Sequence, residues 1–429
     1  MSSIEISSLL KPIKGSVNVP GSKSFTNRAL IISVLAKGKS RLFNFSKSDD
    51  SEILISSLNK LGINITSKNN TLIVNGNGGN FSKNNIKLNV GKAGTAMRFL
   101  TALCTLVPGK IFLDGDKQMR NRPIGELVNS LRQIGASIKY RNKNGFPPLE
   151  ISGNNIMGGL IKIKGNISSQ FITSLLLIAP LLKNGLKIKI IGNEVSKSYT
   201  KMTLHTQNLF GVKVKQVKDS YLIRNKQHYK PQNIIIESDI SSATYFWGIA
   251  AITGSRITVN NINPKSVQGD IIFLNILRKM GCIITINSKL KSVEVKGPKI
   301  LKPVKANLSL LPDSAQTLAV IVAFANGRSI ISGLSTLKIK ETNRLLALKN
   351  ELNKMGINSR IGKDFIEIYG GKPNGAKINT YNDHRMAMSF AIAGTKIPGI
   401  VIKNPEVVSK SFPNFWESLS RLGIKYKLR

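Results

Sequence analysis

The chain predicts an α/β protein of two similar halves, and two observations carry that prediction. The first is a pattern that recurs six times: a helix-like apolar rhythm, a Gly, then a short β-like run. It appears as Leu58-Asn59-Lys60-Leu61-Gly62-Ile63 and again as Leu131-Arg132-Gln133-Ile134-Gly135-Ala136, with a shorter copy at Leu209-Phe210-Gly211-Val212. The remaining copies end in Gly281-Cys282, Gly356-Ile357 and Gly423-Ile424, so the six glycines are 73, 76, 70, 75 and 67 residues apart. A Gly at this place supplies the left-handed backbone that stops a helix, and the β-branched residues after it start a strand. One such junction is ordinary, whereas six at near-constant spacing mark an internal repeat. The second observation is length: 429 residues, at about 100–200 per domain, make two or three domains with ample core. Six units of about seventy residues, each with room for several strands and two helices, split naturally into three and three. A polar stretch at residues 224–233 suggests the boundary, and a cleft between two such lobes is a usual place for a ligand.

Composition narrows the function. Sixty-three Lys and Arg face 22 Asp and Glu, a formal charge of +41, which admits nucleic acid, an acidic surface or small anionic substrates. The lysines are scattered and form no block of five or six, and aromatic residues are only 6%. A nucleic-acid binder needs stacking aromatics or a basic stripe, so that class is disfavoured. Cys104 and Cys282 lie far apart among apolar residues, which excludes a disulfide scaffold and favours a reducing compartment. Residues 1–14 lack the apolar core of a signal peptide, and the longest apolar runs, 171–182 and 318–325, are too short for a membrane span. A cytoplasmic protein is expected.

Candidate chemistry lies at the starts of expected helices. In Pro20-Gly21-Ser22-Lys23-Ser24-Phe25-Thr26-Asn27-Arg28, Ser22 or Ser24 caps a helix from about residue 25, and Lys23 and Arg28 suit a bound phosphate or carboxylate. Gly91-Lys92-Ala93-Gly94 allows an anion close to the backbone. In Arg120-Asn121-Arg122-Pro123, the Pro is expected to open a helix at its first turn, with Arg122 beside the positive end. Ser168-Ser169-Gln170 precedes the apolar helix expected at 171–182; one Ser suffices as cap, leaving the other and Gln170 for a ligand. Ser196-Lys197-Ser198 is a weaker copy of the same pattern.

The densest set is in the last third. Lys340-Glu341-Thr342-Asn343-Arg344 reads as the beginning of a helix, which would put Lys340 and Arg344 on one face and make them repel by a few tenths of a kcal/mol. Asp383-His384-Arg385 and Lys410 follow, each between apolar runs. Asp313, ahead of a helix expected at 317–325, is either its N-cap or a general base. His205, His228 and His384 are isolated and the two cysteines distant, so no metal site is indicated, and His384 reads as a structural hydrogen-bonder. No Gly-x-Gly-x-x-Gly opens a βαβ unit.

Taken in order, these segments, with Glu237-Ser238-Asp239, Tyr381-Asn382-Asp383-His384-Arg385-Met386 and Ser409-Lys410-Ser411-Phe412-Pro413, closely resemble the 3-phosphoshikimate 1-carboxyvinyltransferase (EPSP synthase) family over nearly the whole chain. The resemblance implies two lobes, each of three βαβαββ repeats, with the active site in the inter-lobe cleft. The N-terminal lobe would be 22–236, and residues 1–21 plus 237–429 the C-terminal lobe. It implies enolpyruvyl transfer from phosphoenolpyruvate to the 5-hydroxyl of shikimate 3-phosphate, releasing phosphate, in the shikimate pathway to chorismate and aromatic amino acids. No metal or organic cofactor is needed, no nucleic-acid or membrane partner is expected, and a monomer is suggested.

The same resemblance implies that Lys23, Ser24, Arg28, Ser168, Ser169, Gln170, Ser196, Asp313, Thr336 and Lys340 hold shikimate 3-phosphate. Lys23, Gly94, Arg122, Gln170, Arg344, Arg385 and Lys410 would hold phosphoenolpyruvate. Asp313 would be the general base, and Glu341, helped by Lys23, would deliver a proton to the methylene carbon. Lys92, Phe99, Asn343 and Ser198 depart from common family residues, and none of them removes a proposed catalytic group. The nearest rival is the sister enzyme that acts on UDP-N-acetylglucosamine, but its Cys-bearing loop is absent, since Gln118-Met119-Arg120-Asn121 stands there. A drifted, weakly active enzyme is the other alternative, and retention of every proposed catalytic residue argues against it.

Overall fold

The computed structural model of the chain describes residues 2–82, 85–153 and 156–429. They form six four-stranded sheets, and every sheet has the same order: two parallel strands, then two antiparallel ones. The second sheet shows the unit plainly. Strand Ile86–Asn89 leads through helix Gly94–Leu103 to the parallel strand Gly109–Asp114. Helix Gly125–Arg132 then leads to the edge strand Ser137–Tyr140, and Leu149–Gly153 returns between them. That is one βαβαββ repeat.

The six glycines sit where each second helix turns into an edge strand, and all six have positive φ, from 73° at Gly356 to 99° at Gly281. The same hydrogen bond closes every one of these ends: the N–H after the Gly donates to the carbonyl five residues back, as from Ile63 to Leu58 and from Ile424 to Leu419. Ala136 to Leu131, Val212 to Gln207, Cys282 to Leu277 and Ile357 to Leu352 complete the set. This is the bond that satisfies a terminal helix carbonyl in a left-handed cap.

Two compact units contain three repeats each: residues 21–236, and residues 1–20 with 237–429. The repeats are not all consecutive in sequence. In the first unit, Asn233–Ile235 supplies the leading strand beside Lys37–Phe43. The other unit takes Lys14–Asn18 as the leading strand beside Arg256–Asn260. It also takes Ser3–Ile6, which lies between Val401–Lys403 and Tyr426–Leu428 in its last sheet.

Each unit is built round three helices, each running into the second strand of one of its sheets. In the second unit these are Ile240–Thr253, Ala315–Val322 and His384–Gly394; they pack on one another, and every residue in them is buried. An all-round apolar helix has no solvent face to offer and must lie inside. Lys23–Leu35, Gly94–Leu103 and Ser169–Ile178 play this part in the first unit. The strands alternate about these cores: in Leu186–Ile191, Leu186, Ile188 and Ile190 point inward while Lys187 and Lys189 face water. Many of the scattered lysines are thus the polar half of a strand pattern. No described helix is long and apolar enough to cross a membrane.

Several expected starts differ in detail. Helix Lys23–Leu35 begins at Lys23, with Ser22 as its cap. Pro123 stands before helix Gly125–Arg132 rather than in its first turn: Ile124 takes the cap position, and the Ile124 and Gly125 N–H groups donate to the Gly145 carbonyl. Lys340 to Asn343 are not helical: Asn343 accepts from the Leu346 N–H and caps a helix that starts at Arg344. Lys340 and Arg344 therefore do not share a helix face.

Candidate active site

Polar residues collect where the buried helices begin, because a helix N-terminus leaves N–H groups that must find partners. In the unit formed by residues 21–236, Ser168 caps the helix carrying Ser169 and Gln170 by accepting from the Gln170 N–H at 3.2 Å. Gln170 then reaches the neighbouring helix start, its Nε2 donating to Thr95 Oγ1 at 3.2 Å. Gly94 opens that helix, and a Cβ there would stand 2.5 Å from an Arg122 guanidinium nitrogen. Only glycine lets Arg122 lie against this backbone. Arg98 is buried one turn on and donates to the carbonyls of Gly94 and Pro123, fixing the connection that carries Arg122.

On the first buried helix, Lys23 Nζ lies 3.0 Å from Asp50 Oδ2, and the carboxylate is almost wholly enclosed. Arg28 is also enclosed. It donates to Thr203 Oγ1 at 2.9 Å and to the carbonyls of Ser24 and Tyr199 at 2.8 and 3.1 Å, with Phe99 and Tyr199 rings against its guanidinium. Burial pulls its pKa down to about 10, with the charge interaction of Tyr199 acting the other way. Among the described residues Arg28 forms no ion pair with a carboxylate, so this buried cation is suited to an anion. Ser196 is buried and left-handed (φ 52°), capping position for helix Lys197–Leu209 without using its hydroxyl for the cap.

The other unit holds a denser arrangement. Asp313 lies in the 3₁₀ turn Pro312–Ser314 and does not cap the following helix; its carboxylate is gripped instead. Arg385 donates to Asp313 Oδ2 at 3.0 Å and to its carbonyl at 3.1 Å; Arg344 donates to Oδ1 at 3.2 Å, and Lys340 Nζ stands 3.7 Å away. Glu341 links Arg344 to a fourth cation, receiving Arg344 at 2.8 Å and facing Lys410 Nζ at 3.5 Å. Asp383 caps the third buried helix through the Arg385 N–H and also receives Arg344 Nε at 2.7 Å. His384 Nδ1 is 3.5 Å from Asp383. Thr336 is buried nearby in sequence on the 3₁₀ segment Ser335–Ile339, and its hydroxyl makes no hydrogen bond to a described residue.

Four cations, Lys340, Arg344, Arg385 and Lys410, are thus interleaved with three carboxylates. Burial pushes the Asp313 carboxyl up, but Arg385, Lys340 and Arg344 together outweigh it and hold Asp313 well below the usual carboxylate range. For Arg344, burial acts downward, and Asp383, Glu341 and Asp313 more than reverse it, so the guanidinium stays charged. No group of three or more His, Cys, Asp or Glu placed to hold a metal occurs among the described residues.

A family model described as EPSP synthase (3-phosphoshikimate 1-carboxyvinyltransferase) matches residues 9–419. The chain belongs to the EPSP synthase family. A 3-phosphoshikimate 1-carboxyvinyltransferase from Buchnera aphidicola subsp. Cinara cedri is 43% identical over 419 residues, covering 95% of each chain. Another, from Trichormus variabilis, is 40% identical over 97% of this chain and 98% of its own. Among solved structures, an EPSP synthase from Acinetobacter baumannii superposes with a TM-score of 0.83 at 27% identity over the full length of both chains. The fold of six βαβαββ repeats is thus the EPSP synthase fold, and the chain is an enzyme of this transferase family.

The family's expected site residues fall into two groups by unit. Lys23, Ser24, Arg28, Gly94, Arg122, Ser168, Ser169, Gln170 and Ser196 lie in residues 21–236, and Asp313, Thr336, Lys340, Glu341, Arg344, Arg385 and Lys410 in the other unit. Sequence reasoning missed Asp50 as the partner of Lys23. The Ser-Asp-Asp run at 48–50 looks like an ordinary helix start, and nothing local ties it to a lysine 27 residues earlier. The grip of Asp383 on Arg344 was equally silent, since capping alone accounts for an Asp at that position.

Proposed function

We propose that the two groups of residues carry out enolpyruvyl transfer from phosphoenolpyruvate to the 5-hydroxyl of shikimate 3-phosphate. The observation that carries this reading is Asp313 held between Arg385, Arg344 and Lys340, with Glu341 bridging Arg344 and Lys410. An acid and a base at the same cation cluster is what this reaction asks for. Both substrates are multiply anionic, and converging Lys and Arg offset their repulsion.

Lys23, Ser24, Arg28, Ser168, Ser169, Gln170, Ser196, Asp313, Thr336 and Lys340 hold shikimate 3-phosphate in this reading. Lys23, Gly94, Arg122, Gln170, Arg344, Arg385 and Lys410 hold phosphoenolpyruvate. When substrate anions engage Arg385, Arg344 and Lys340, those cations are shared, and the proton affinity of Asp313 rises. Asp313 takes the proton of the 5-hydroxyl as its oxygen attacks C2 of phosphoenolpyruvate. Glu341, helped by Lys23, protonates the methylene carbon, giving a tetrahedral intermediate. Loss of a methyl proton and departure of phosphate restore the double bond. The reading further takes the enzyme as a cytoplasmic monomer acting without metal or organic cofactor, on the strength of the family resemblance.

The test incubates the purified protein with shikimate 3-phosphate and phosphoenolpyruvate and follows phosphate release, with shikimate and UDP-N-acetylglucosamine as parallel acceptors. Release that requires shikimate 3-phosphate and falls by about 10²- to 10⁴-fold in Asp313→Ala supports the assignment. Release with UDP-N-acetylglucosamine in its place, or with no acceptor, overturns it.

A further inference from the structure

One buried carboxyl beside Asp313 has no part in the roles above. Asp270 lies in the turn Gly269–Ile272, ahead of helix Phe273–Lys279, and is only 4% exposed. Its Oδ1 accepts from the Ser314 hydroxyl at 2.5 Å. Ser314 is fully buried and adjoins Asp313 in the 3₁₀ turn Pro312–Ser314, so this bond fastens the turn that presents Asp313 to a second element of the fold. The charged groups that act on Asp270 are the carboxylates of Asp313 and Asp239 and the guanidinium of Arg385, each from a different buried helix start. No described cation makes an ion pair with it.

We propose that Asp270 is a positioning residue for the base: through Ser314 it fixes the turn carrying Asp313, and its negative charge offsets part of the cationic field on Asp313. The inference rests on the function proposed above. Arg385, Arg344 and Lys340 make Asp313 a weak base, and a weak base takes a hydroxyl proton poorly. A second carboxylate close by acts in the opposite sense, since like charges raise each other's proton affinity. Position and charge are supplied by one side chain. Burial pushes the Asp270 carboxyl up to about 6, against the Ser314 hydrogen bond, with Asp313 adding to the rise. It therefore changes charge within the range over which an enzyme assay can be run, and turnover tracks its ionised form.

The experiment compares the full chain with Asp270→Asn and Ser314→Ala from pH 5 to 9, measuring kcat, both KM values and the thermal midpoint. The amide of Asp270→Asn keeps an acceptor for Ser314 and removes the charge. The unmodified enzyme is expected to lose kcat as pH falls through about 6. Asp270→Asn is expected to lose about tenfold in kcat at pH 8, with both KM values within about twofold, and to lack the loss centred near pH 6. Ser314→Ala is expected to lose kcat at pH 8 and to keep an acid limb, moved to higher pH because the hydrogen bond that favours ionised Asp270 is gone. Wild-type kcat and an unchanged acid limb in folded Asp270→Asn would overturn the proposal while leaving the function standing. No turnover by the unmodified chain would overturn both.

Discussion

Arg344 Nε and Asp383 Oδ2 are 2.7 Å apart, with the side chains 1% and 0% exposed. A pair so enclosed has no water to fall back on. Removing Asp383 leaves Arg344 with Glu341 and Asp313 as partners but takes away two buried charge-assisted hydrogen bonds and the acceptor of the Arg385 N–H, a loss of about 2–3 kcal/mol. Asp383→Ala is expected to lower unfolding free energy by about that amount, and Asp383→Asn by less, because the amide still accepts from the Arg385 N–H. Urea unfolding of the two variants measures the difference. Equal stability of Asp383→Ala and the unmodified protein would contradict the relationship.

Gly94 offers a separation of binding from stability. An alanine Cβ would meet the Arg122 guanidinium at 2.5 Å, while Gly94 has an ordinary helical backbone that alanine favours by up to about 1 kcal/mol. Gly94→Ala should therefore melt no lower than the parent. Its KM for phosphoenolpyruvate should rise by about 10- to 100-fold through displacement of Arg122. Steady-state kinetics beside a thermal melt check both halves.

The Lys23–Asp50 pair is expected to act on chemistry more than on folding. Asp50→Asn keeps the shape and loses the charge that holds Lys23 Nζ at 3.0 Å. A fall of about tenfold in kcat/KM is expected, with partial recovery in Asp50→Glu. Unchanged kinetics in Asp50→Asn would show that Lys23 is placed by other contacts.

Asp270 gives a stability profile of definite sign. Its folded pKa, about 6, lies above the ordinary aspartate value of 3.8, so the folded state binds the proton more tightly. The associated stability is full below about pH 4 and is lost as pH rises through about 6. Asp270→Asn, which cannot ionise, should therefore exceed the parent in stability at pH 8 by on the order of 2–3 kcal/mol, and the gap should close near pH 4. Asp313 has the opposite sense: its depressed pKa stabilises the fold above the ordinary carboxylate range and is lost in acid. Denaturant unfolding at several pH values resolves the two.

Both cysteines are buried, and burial raises both thiols, that of Cys282 to about 12. Neither is thiolate at neutral pH, and the thiolate is the reactive species. Activity should survive a thiol-alkylating reagent under native conditions. Inactivation that substrate prevents would point back to a Cys-dependent sister chemistry.

The repeat was legible in the sequence because its signal is local: a Gly in left-handed backbone ends a helix whatever lies around it. Three of the buried helices, those beginning at Lys23, Ser169 and Ala315, were legible too, from the apolar runs that follow their starts. Boundaries set by capping were harder to see. Asn343 turns what looked like a helix face joining Lys340 and Arg344 into a loop, and only the bond to the Leu346 N–H decides it. The cations expected to bind anions could be picked from motif order, but their carboxylate partners could not. Lys23–Asp50 and Arg344–Asp383 span 27 and 39 residues, and each acid also has a plausible local role where it stands.

The strand Ser3–Ile6 sits between Val401–Lys403 and Tyr426–Leu428, which sets an order on synthesis. Residues 3–6 leave the ribosome some 400 positions ahead of the strands they pair with. At about 5–20 residues per second, this strand waits tens of seconds for its partners. Residues 21–236, whose leading strand is their own Asn233–Ile235, can close first. Translation therefore leaves Ser3–Ile6 unpaired until the final sheet is made, and anything fused ahead of it must leave that strand able to thread home.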